Sequence, residues 1–410
     1  MSFPEAGGPE GRASPVPLPA ALRDPAGRAG AGWVAAGALT NLGINAAFFG
    51  PLQVLLAQQS QAFDPAHKEA VLALATGFGA AVSLVANPVA GALSDRTTSR
   101  LGRRGPWVLG GTVLAFTALL LLAGAPGVAA MVLAWCLVQA GCNAAYAAVT
   151  AAVPDQVPAA QRGQVGGLAA MGQTVGIVLG AVLAALAGGF VLGYIYCAVF
   201  LLACALPFVF RGRGSPLDPA DRPPFRWAAF LKSFYVSPRR HPDFGWAWLT
   251  RFLVNLGNSL FTLYLFYFLQ DEVGVAEPAK GVLVLTGIYA AMVVATALVG
   301  GSWSDRAGRR KPFVVASSVT IAAPSTIAAL VPTWPGALVA AAVLGAGVGM
   351  FLAVDFALLT QVLPSALDRG KDLGVINIAN SLPQVLAPLL AAPIVLHLGG
   401  YRTLFGVAAV

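Results

Sequence analysis

The sequence predicts an all-α integral membrane protein built as two pseudo-symmetric six-helix bundles. Three observations lead there. The chain is 57% hydrophobic and only 10% charged, with a mean hydropathy of +0.75, outside the range of soluble domains. Apolar stretches of about 20 residues, the length that spans a bilayer core, recur along its whole length. One short charged loop occurs twice: GALSDRTTSRLGRRGPW from Gly91 and GSWSDRAGRRKPF from Gly301. Asp95 and Asp305 correspond at an offset of 210, and Arg103, Arg104 and Pro106 correspond to Arg309, Arg310 and Pro312 at 206. A charged loop repeated between matching apolar segments is the mark of a duplicated transporter.

In chain order, residues 1–30 are rich in Pro, Gly and Ala and carry no signal-peptide core, so they read as a disordered cytoplasmic tail. Residues 31–210 form the first bundle, with spans expected at 33–58, 69–93, 106–124, 128–152, 164–188 and 190–210. Residues 211–243 are a cytoplasmic central loop with seven Lys or Arg. Within it Phe225–Tyr235 alternates aromatic with basic residues, which fits either a helix lying on the inner membrane face or an irregular linker. Residues 244–410 form the second bundle, with spans at 244–270, 281–303, 312–331, 336–363 and 373–397. A twelfth span begins near Tyr401 and the sequence stops at Val410. Ten residues of helix cover about 15 Å, so this last helix is expected to be truncated.

The net charge of +8 does not point to nucleic acid. With a cytoplasmic N-terminus, 21 of the 25 Lys and Arg fall in the tail or in cytoplasmic loops, as the positive-inside rule requires. No basic patch is left over for nucleic acid. Cys136, Cys142, Cys197 and Cys204 lie within spans without a CxxC pair and read as small packing residues. No metal spacing, paired carboxylates or Gly-rich phosphate loop points to an enzyme, a cofactor or a metal.

The halves match elsewhere too. Asn41-Leu42-Gly43 is echoed by Asn255-Leu256-Gly257, and Arg162-Gly163 by Arg369-Gly370. The repeated loop resembles the signature loop between helices 2 and 3 of the major facilitator superfamily. The stretch from Asp355 to Pro388, with VLP at 362–364, DRGKDLG at 368–374 and NIANSLPQ at 377–384, is similar to the sucrose/glycoside cation-symporter branch, which includes plant sucrose transporters. The resemblance implies a twelve-helix fold, alternating access and proton coupling, with helices 1, 4, 7 and 10 around a central cavity. The branch's plant members are credited with a coupling histidine in the first helix. This chain departs from that pattern, since its nearest histidine is His67 in the following loop.

Polar residues inside the spans fall on single helical faces. They are Asn41 and Asn45 in the first span, Gln139, Asn143, Tyr146 and Thr150 in the fourth, and Asn255, Asn258, Ser259 and Thr262 in the seventh. Asn377, Asn380 and Gln384 form a stripe in the eleventh. Neutral amides and hydroxyls suit a neutral polyhydroxy solute, with Tyr146, Tyr264, Tyr267 or Tyr289 available to stack on a sugar ring. The other reading is hydrogen bonding between helices.

Asp355 is the acidic residue well inside a span, where desolvation makes it a functional candidate. Arg251 lies at a similar depth, roughly 10–12 Å from the inner surface at 1.5 Å per residue, so an ion pair is possible. A carboxyl raised by burial and lowered by an Arg neighbour can take up and release a proton. Asp95 and Asp305, with Arg96, Arg103, Arg104, Arg306, Arg309 and Arg310, read as an inner gate. Their carboxylates can accept from free N–H groups of a neighbouring helix start. Asp155, Arg162 and Arg369 read as inner-gate or loop-ordering charges. The expectation is a monomeric, multi-pass transporter of the plasma (inner) membrane moving a neutral sugar or glycoside with H+ by alternating access. The alternatives are an exporter of drug-like molecules and a transport-inactive membrane sensor.

Overall fold

The structure, a computed structural model, describes residues 27–212, 214, 219–221, 242–307, 311–362 and 369–408. Within these ranges the side chains at 159, 160, 163, 221, 242–244, 247, 298–307, 311–318, 353–362, 369–377 and 380 are not described. The described part is helical without a strand. The first half comprises α1 (Ala31–Phe63), α2 (Lys68–Ser94), α3 (Gly105–Ala123), α4 (Val128–Gln156), α5 (Ala159–Leu186) and α6 (Phe190–Arg211). The second comprises α7a (Pro242–Leu263), α7b (Leu265–Asp271), α8 (Pro278–Ala307), α9 (Lys311–Leu330), α10 (Trp334–Val362), α11 (Arg369–His397) and α12 (Gly400–Ala408). The amphipathic segment expected at 225–235 and the tail before residue 27 lie outside the described residues.

Helices stand at the predicted span positions, with two differences in regularity. α1 widens into a π-helical turn over Pro51–Leu55, whose end donates from the N–H of Leu56 to the carbonyl of Pro51. Proline supplies no N–H to the preceding turn, and the ladder absorbs the defect by adding a residue. The seventh span breaks at Tyr264 and bends by 41°. By length and composition, eight helices can cross a membrane, or nine with the bent pair counted as one, among the described residues. α9 and α11 are not among them: their apolar stretches, Val319–Leu330 and Ser381–His397, are shorter. Pro383, Pro388 and Pro393 lie along α11.

Packing follows the duplication. α1 lies on α5 and α6, and α4 on α2 and α3; in the second half, α10 lies on α8 and α9. The two halves meet through α2 against α11 and α5 against α8. Without a hydrophobic drive between helices in lipid, close approach depends on small residues. A Cβ on Gly172, Gly176 or Gly180 of α5 would come within 2.6, 2.5 and 2.7 Å of the carbonyl oxygens of Ala38, Leu42 and Ala46 of α1. The α8–α10 seam uses the same device, Gly345 and Gly349 facing the carbonyls of Tyr289 and Val293.

Candidate functional site: a central polar cluster and two charged ends

The central cluster joins α4 to α2. Asn143 donates to the carbonyl of Gln139 at 2.9 Å and to its side-chain oxygen at 3.3 Å. Its own side-chain oxygen accepts from Ser83 at 3.1 Å and Asn87 at 3.4 Å. The sequence reading took the α4 stripe and passed over Ser83 and Asn87. They are four apart on α2, the same i, i+4 signal used for Asn41 and Asn45. Gln139 is buried under Gly79, whose missing Cβ leaves room for both Gln139 and the Trp135 indole. Tyr146 and Tyr289 pack against the apolar core.

Asn41 and Asn45 are buried and donate to carbonyls one turn back, Gly37 at 3.1 Å and Asn41 at 2.8 Å. Asn41 also lines a crevice with Trp33, Val149, Val153 and Val165. In α7a, Asn255 donates to the carbonyl of Arg251 and Thr262 to that of Asn258, each at 2.8 Å. The side-chain oxygen of Asn258 is buried and accepts no hydrogen bond among the described residues. A buried acceptor left unpaired costs about 1–3 kcal/mol. Gln384 is exposed. The side chains of Asn377, Asn380, Asp355, Asp305, Arg306 and Arg369, and residues Arg309 and Arg310, lie outside the described residues.

Tyr264 and Tyr267 do not offer their rings to a central cavity, contrary to the expectation. Both are fully buried beside the start of α2. The Tyr264 hydroxyl donates to the carbonyl of Glu69 at 3.0 Å, and that of Tyr267 to the carbonyl of Ala57 at 2.8 Å. The bend at Tyr264 turns α7b toward the first half, which brings these phenols across the seam. Charges follow them: Lys68 pairs with Asp271 at 2.7 Å and lies 4.7 Å from the Tyr267 ring centroid. In the preceding loop, a hydrogen bond from His67 is the main cause lowering the Asp64 carboxyl below its usual range.

At the other end, Gly102 takes a φ of 78°. Glycine is suited to this left-handed turn, which aims Arg103 and Arg104 at the end of α4. Arg104 donates from Nε to Asp155 at 2.8 Å, and Arg103 meets the other oxygen of Asp155 at 3.0 Å. Arg104 also bonds Asp95 and Ser94. Burial works to lower the Arg104 guanidinium, but the bonds and charges of Asp155 and Asp95 outweigh it and hold it above its ordinary value. Two expectations change here. Asp95 meets an arginine of its own loop rather than a free N–H at a helix start. Asp155 joins Arg103 and Arg104 rather than Arg162, which donates to the carbonyls of Val157 and Pro154 at the end of α4. Arg96 bonds the carbonyl of Ala92.

The model of the Major Facilitator Superfamily matches residues 34–287 and 247–410, nearly the whole chain. The chain belongs to this superfamily. No curated protein matches it. Among solved structures, the peptide transporter POT in complex with sulfate is similar at a TM-score of 0.72 and 15% identity, over 92% of this chain and 91% of that one. A bacterial homologue of the human lysosomal transporter Spinster, inward-facing and unoccupied, gives 0.68 and 17% over 87% and 80%. The nucleoside transporter NupG gives 0.68 and 11% over 92% and 96%. At these identities the likeness is one of fold. This facilitator is a multi-pass membrane transporter rather than an enzyme, with the architecture of secondary active transport by alternating access. The solutes in the neighbours' names differ, so the cargo must be argued from the side chains.

Proposed function

We propose that the chain carries a neutral sugar or glycoside across the plasma membrane, coupled to protons, as a monomer with its N-terminus in the cytoplasm. The observation that carries the substrate class is the central cluster of Gln139, Asn143, Ser83 and Asn87, which is made of neutral amides and a hydroxyl. Across the cavity expected of the fold, the unpaired oxygen of Asn258 supplies an acceptor for a sugar hydroxyl. Asn41, Asn45, Asn255, Thr262, Tyr146 and Tyr289, with Asn377, Asn380 and Gln384, complete the proposed lining. Asp95, Asp155, Arg103 and Arg104, together with the second loop's Asp305, Arg306, Arg309 and Arg310 and with Arg96, Arg162 and Arg369, form the proposed inner gate.

Counterflow in proteoliposomes against a panel of labelled sugars tests the substrate class. Asn258→Ala should weaken sugar binding several-fold, the loss of a hydrogen bond of about 1 kcal/mol. It should leave the melting temperature of the empty protein unchanged or higher, because the oxygen it removes has no partner among the described residues. If a hydrophobic cation exchanges and no sugar does, the exporter reading replaces this one.

Orientation rests on the 21 of 25 basic residues that the topology places inside. In intact cells, cysteines introduced at Ser14 and Ser233 should resist an impermeant thiol reagent, while one at Ala66 should react. Labelling at Ser233 would reverse the assignment.

A further inference from the structure

α5 presents three faces to its surroundings. Residues three and four apart share a side of a helix. Gly172, Gly176 and Gly180 lie on the side closed by α1. Roughly a third of a turn away, Leu168, Met171, Val175 and Leu186 are large, apolar and exposed, as suits a side turned to lipid. The remaining side carries Gly166, Ala170, Gln173, Ile177, Ala181 and Ala184. Its first three residues are exposed, Ile177 is half-buried, and Ala181 and Ala184 are fully buried. A Cβ on Gly166 would meet nothing within 4 Å. This side is therefore open where α5 begins and closed where it ends.

α5 is also one of the helices through which the halves meet, against α8. It runs parallel to α1, Gly172 facing Ala38 and Gly180 facing Ala46, so its end lies with the start of α2. There the halves are tied together, Lys68 to Asp271 at 2.7 Å and Tyr401 to Glu69 at 2.7 Å. A face that is open away from that junction and closed toward it is one wall of a tapering cleft.

Gln173 lies on the open part of this wall. It is about 14 Å along the apolar stretch Gln164–Leu186, at 1.5 Å per residue. Its side chain makes no hydrogen bond among the described residues. An unpaired amide turned to lipid at that depth is costly, whereas one facing a watery cleft is satisfied. A Cβ on Gly176 would stand 2.9 Å from that of Asn45, so Gln173 lies one turn from the Asn41–Asn45 stripe.

We propose that this side of α5 lines the solute path and that Gln173 binds the solute through its hydroxyl groups. Gly166 and Ala170 leave room for passage, and Gln173 is the polar group that the solute meets on this wall. An amide offers two donor protons and an acceptor oxygen, so it can serve neighbouring hydroxyls of a sugar ring at once. The hydroxyl partner rests on the sugar or glycoside cargo proposed for the chain; the path does not.

The test uses the full chain in nanodiscs, where reagents reach both faces of the bilayer and orientation is immaterial. Ala170→Cys, Gln173→Cys, Met171→Cys and Val175→Cys are compared with the unchanged chain, which controls for the four native cysteines. A cationic thiosulfonate reagent should modify the first two, which face water, and spare the other two, which face lipid. Equal reactivity of all four, or the reverse order, would overturn the path. In counterflow, Gln173→Leu should weaken sugar binding several-fold, the loss of a hydrogen bond, and Gln173→Asn should recover part of it. The melting temperature should not move, because the side chain is exposed. Undiminished sugar affinity in Gln173→Leu would sink the role of Gln173 and leave the cargo standing. The expected labelling without exchange of any sugar would sink the cargo, and with it the hydroxyl partner of Gln173.

Discussion

Asp355→Asn should abolish proton-driven accumulation while leaving exchange of substrate across the membrane intact. Net uptake against a gradient needs a group that binds a proton on one side and releases it on the other. Exchange returns the carrier loaded in both directions and needs no such cycle. Asp355 is the acidic residue well within a predicted span, and the first span carries no histidine. A carboxylate at that depth is costly in its charged form, which raises its proton affinity, and a nearby guanidinium lowers it. Arg251 stands on α7a, which packs against α10, the helix that carries Asp355. Arg251→Ala should then move the pH optimum of uptake upward, and the double change should resemble Asp355→Asn alone. The measurement is a pair of assays on one preparation, uptake under an imposed proton gradient and counterflow without one. Undiminished concentrative uptake by Asp355→Asn would place coupling elsewhere.

Asp155→Ala should be the most destabilising single change in the ion network between the α2–α3 loop and the end of α4. The carboxylate serves two arginines whose side chains are only 8% and 6% exposed, Arg103 and Arg104. Removing the anion from a largely buried ion network leaves cationic charge poorly compensated, a loss on the order of 3–5 kcal/mol. Asp95 meets the same Arg104, but its side chain is 51% exposed. Water screens that pair, and exposed pairs contribute about 0–1 kcal/mol. Thermal unfolding in detergent should therefore show a large drop for Asp155→Ala and a small one for Asp95→Asn. Equal drops would mean that Asp155 does not organise the loop. The contrast also separates structural from conformational roles, since a gating effect of Asp95 should appear in transport without a matching loss of stability.

Much of this protein was legible from its sequence because the relevant physics is local. Hydropathy over about 20 residues marks a span wherever it occurs, because the bilayer sets the length. The repeated loop announced the two halves, and the i, i+4 spacing of Gln139 and Asn143 put both on one face. Partner choice is a different matter. Whether Asp155 bonds Arg162, seven residues away, or Arg104, 51 residues away, depends on how α3 crosses α4. Whether Tyr264 faces a cavity or the opposite half depends on a 41° bend that hydropathy does not register.

The junction of Glu69, Asp271 and Tyr401 illustrates the limit most plainly. Tyr401 and Glu69 are separated by 332 residues, and nothing in the neighbourhood of either names the other. The amphipathic stripes said that polar groups face inward; only the packed helices decided that Ser83 and Asn87 saturate the oxygen of Asn143 while that of Asn258 has no donor among the described residues. Composition and periodicity determined the helices and their repetition through forces acting on each segment separately. The tertiary structure decided which polar atoms are already paired, because a hydrogen bond is fixed by ångström-scale distances between helices, and those distances are set by glycine seams and bends acting together.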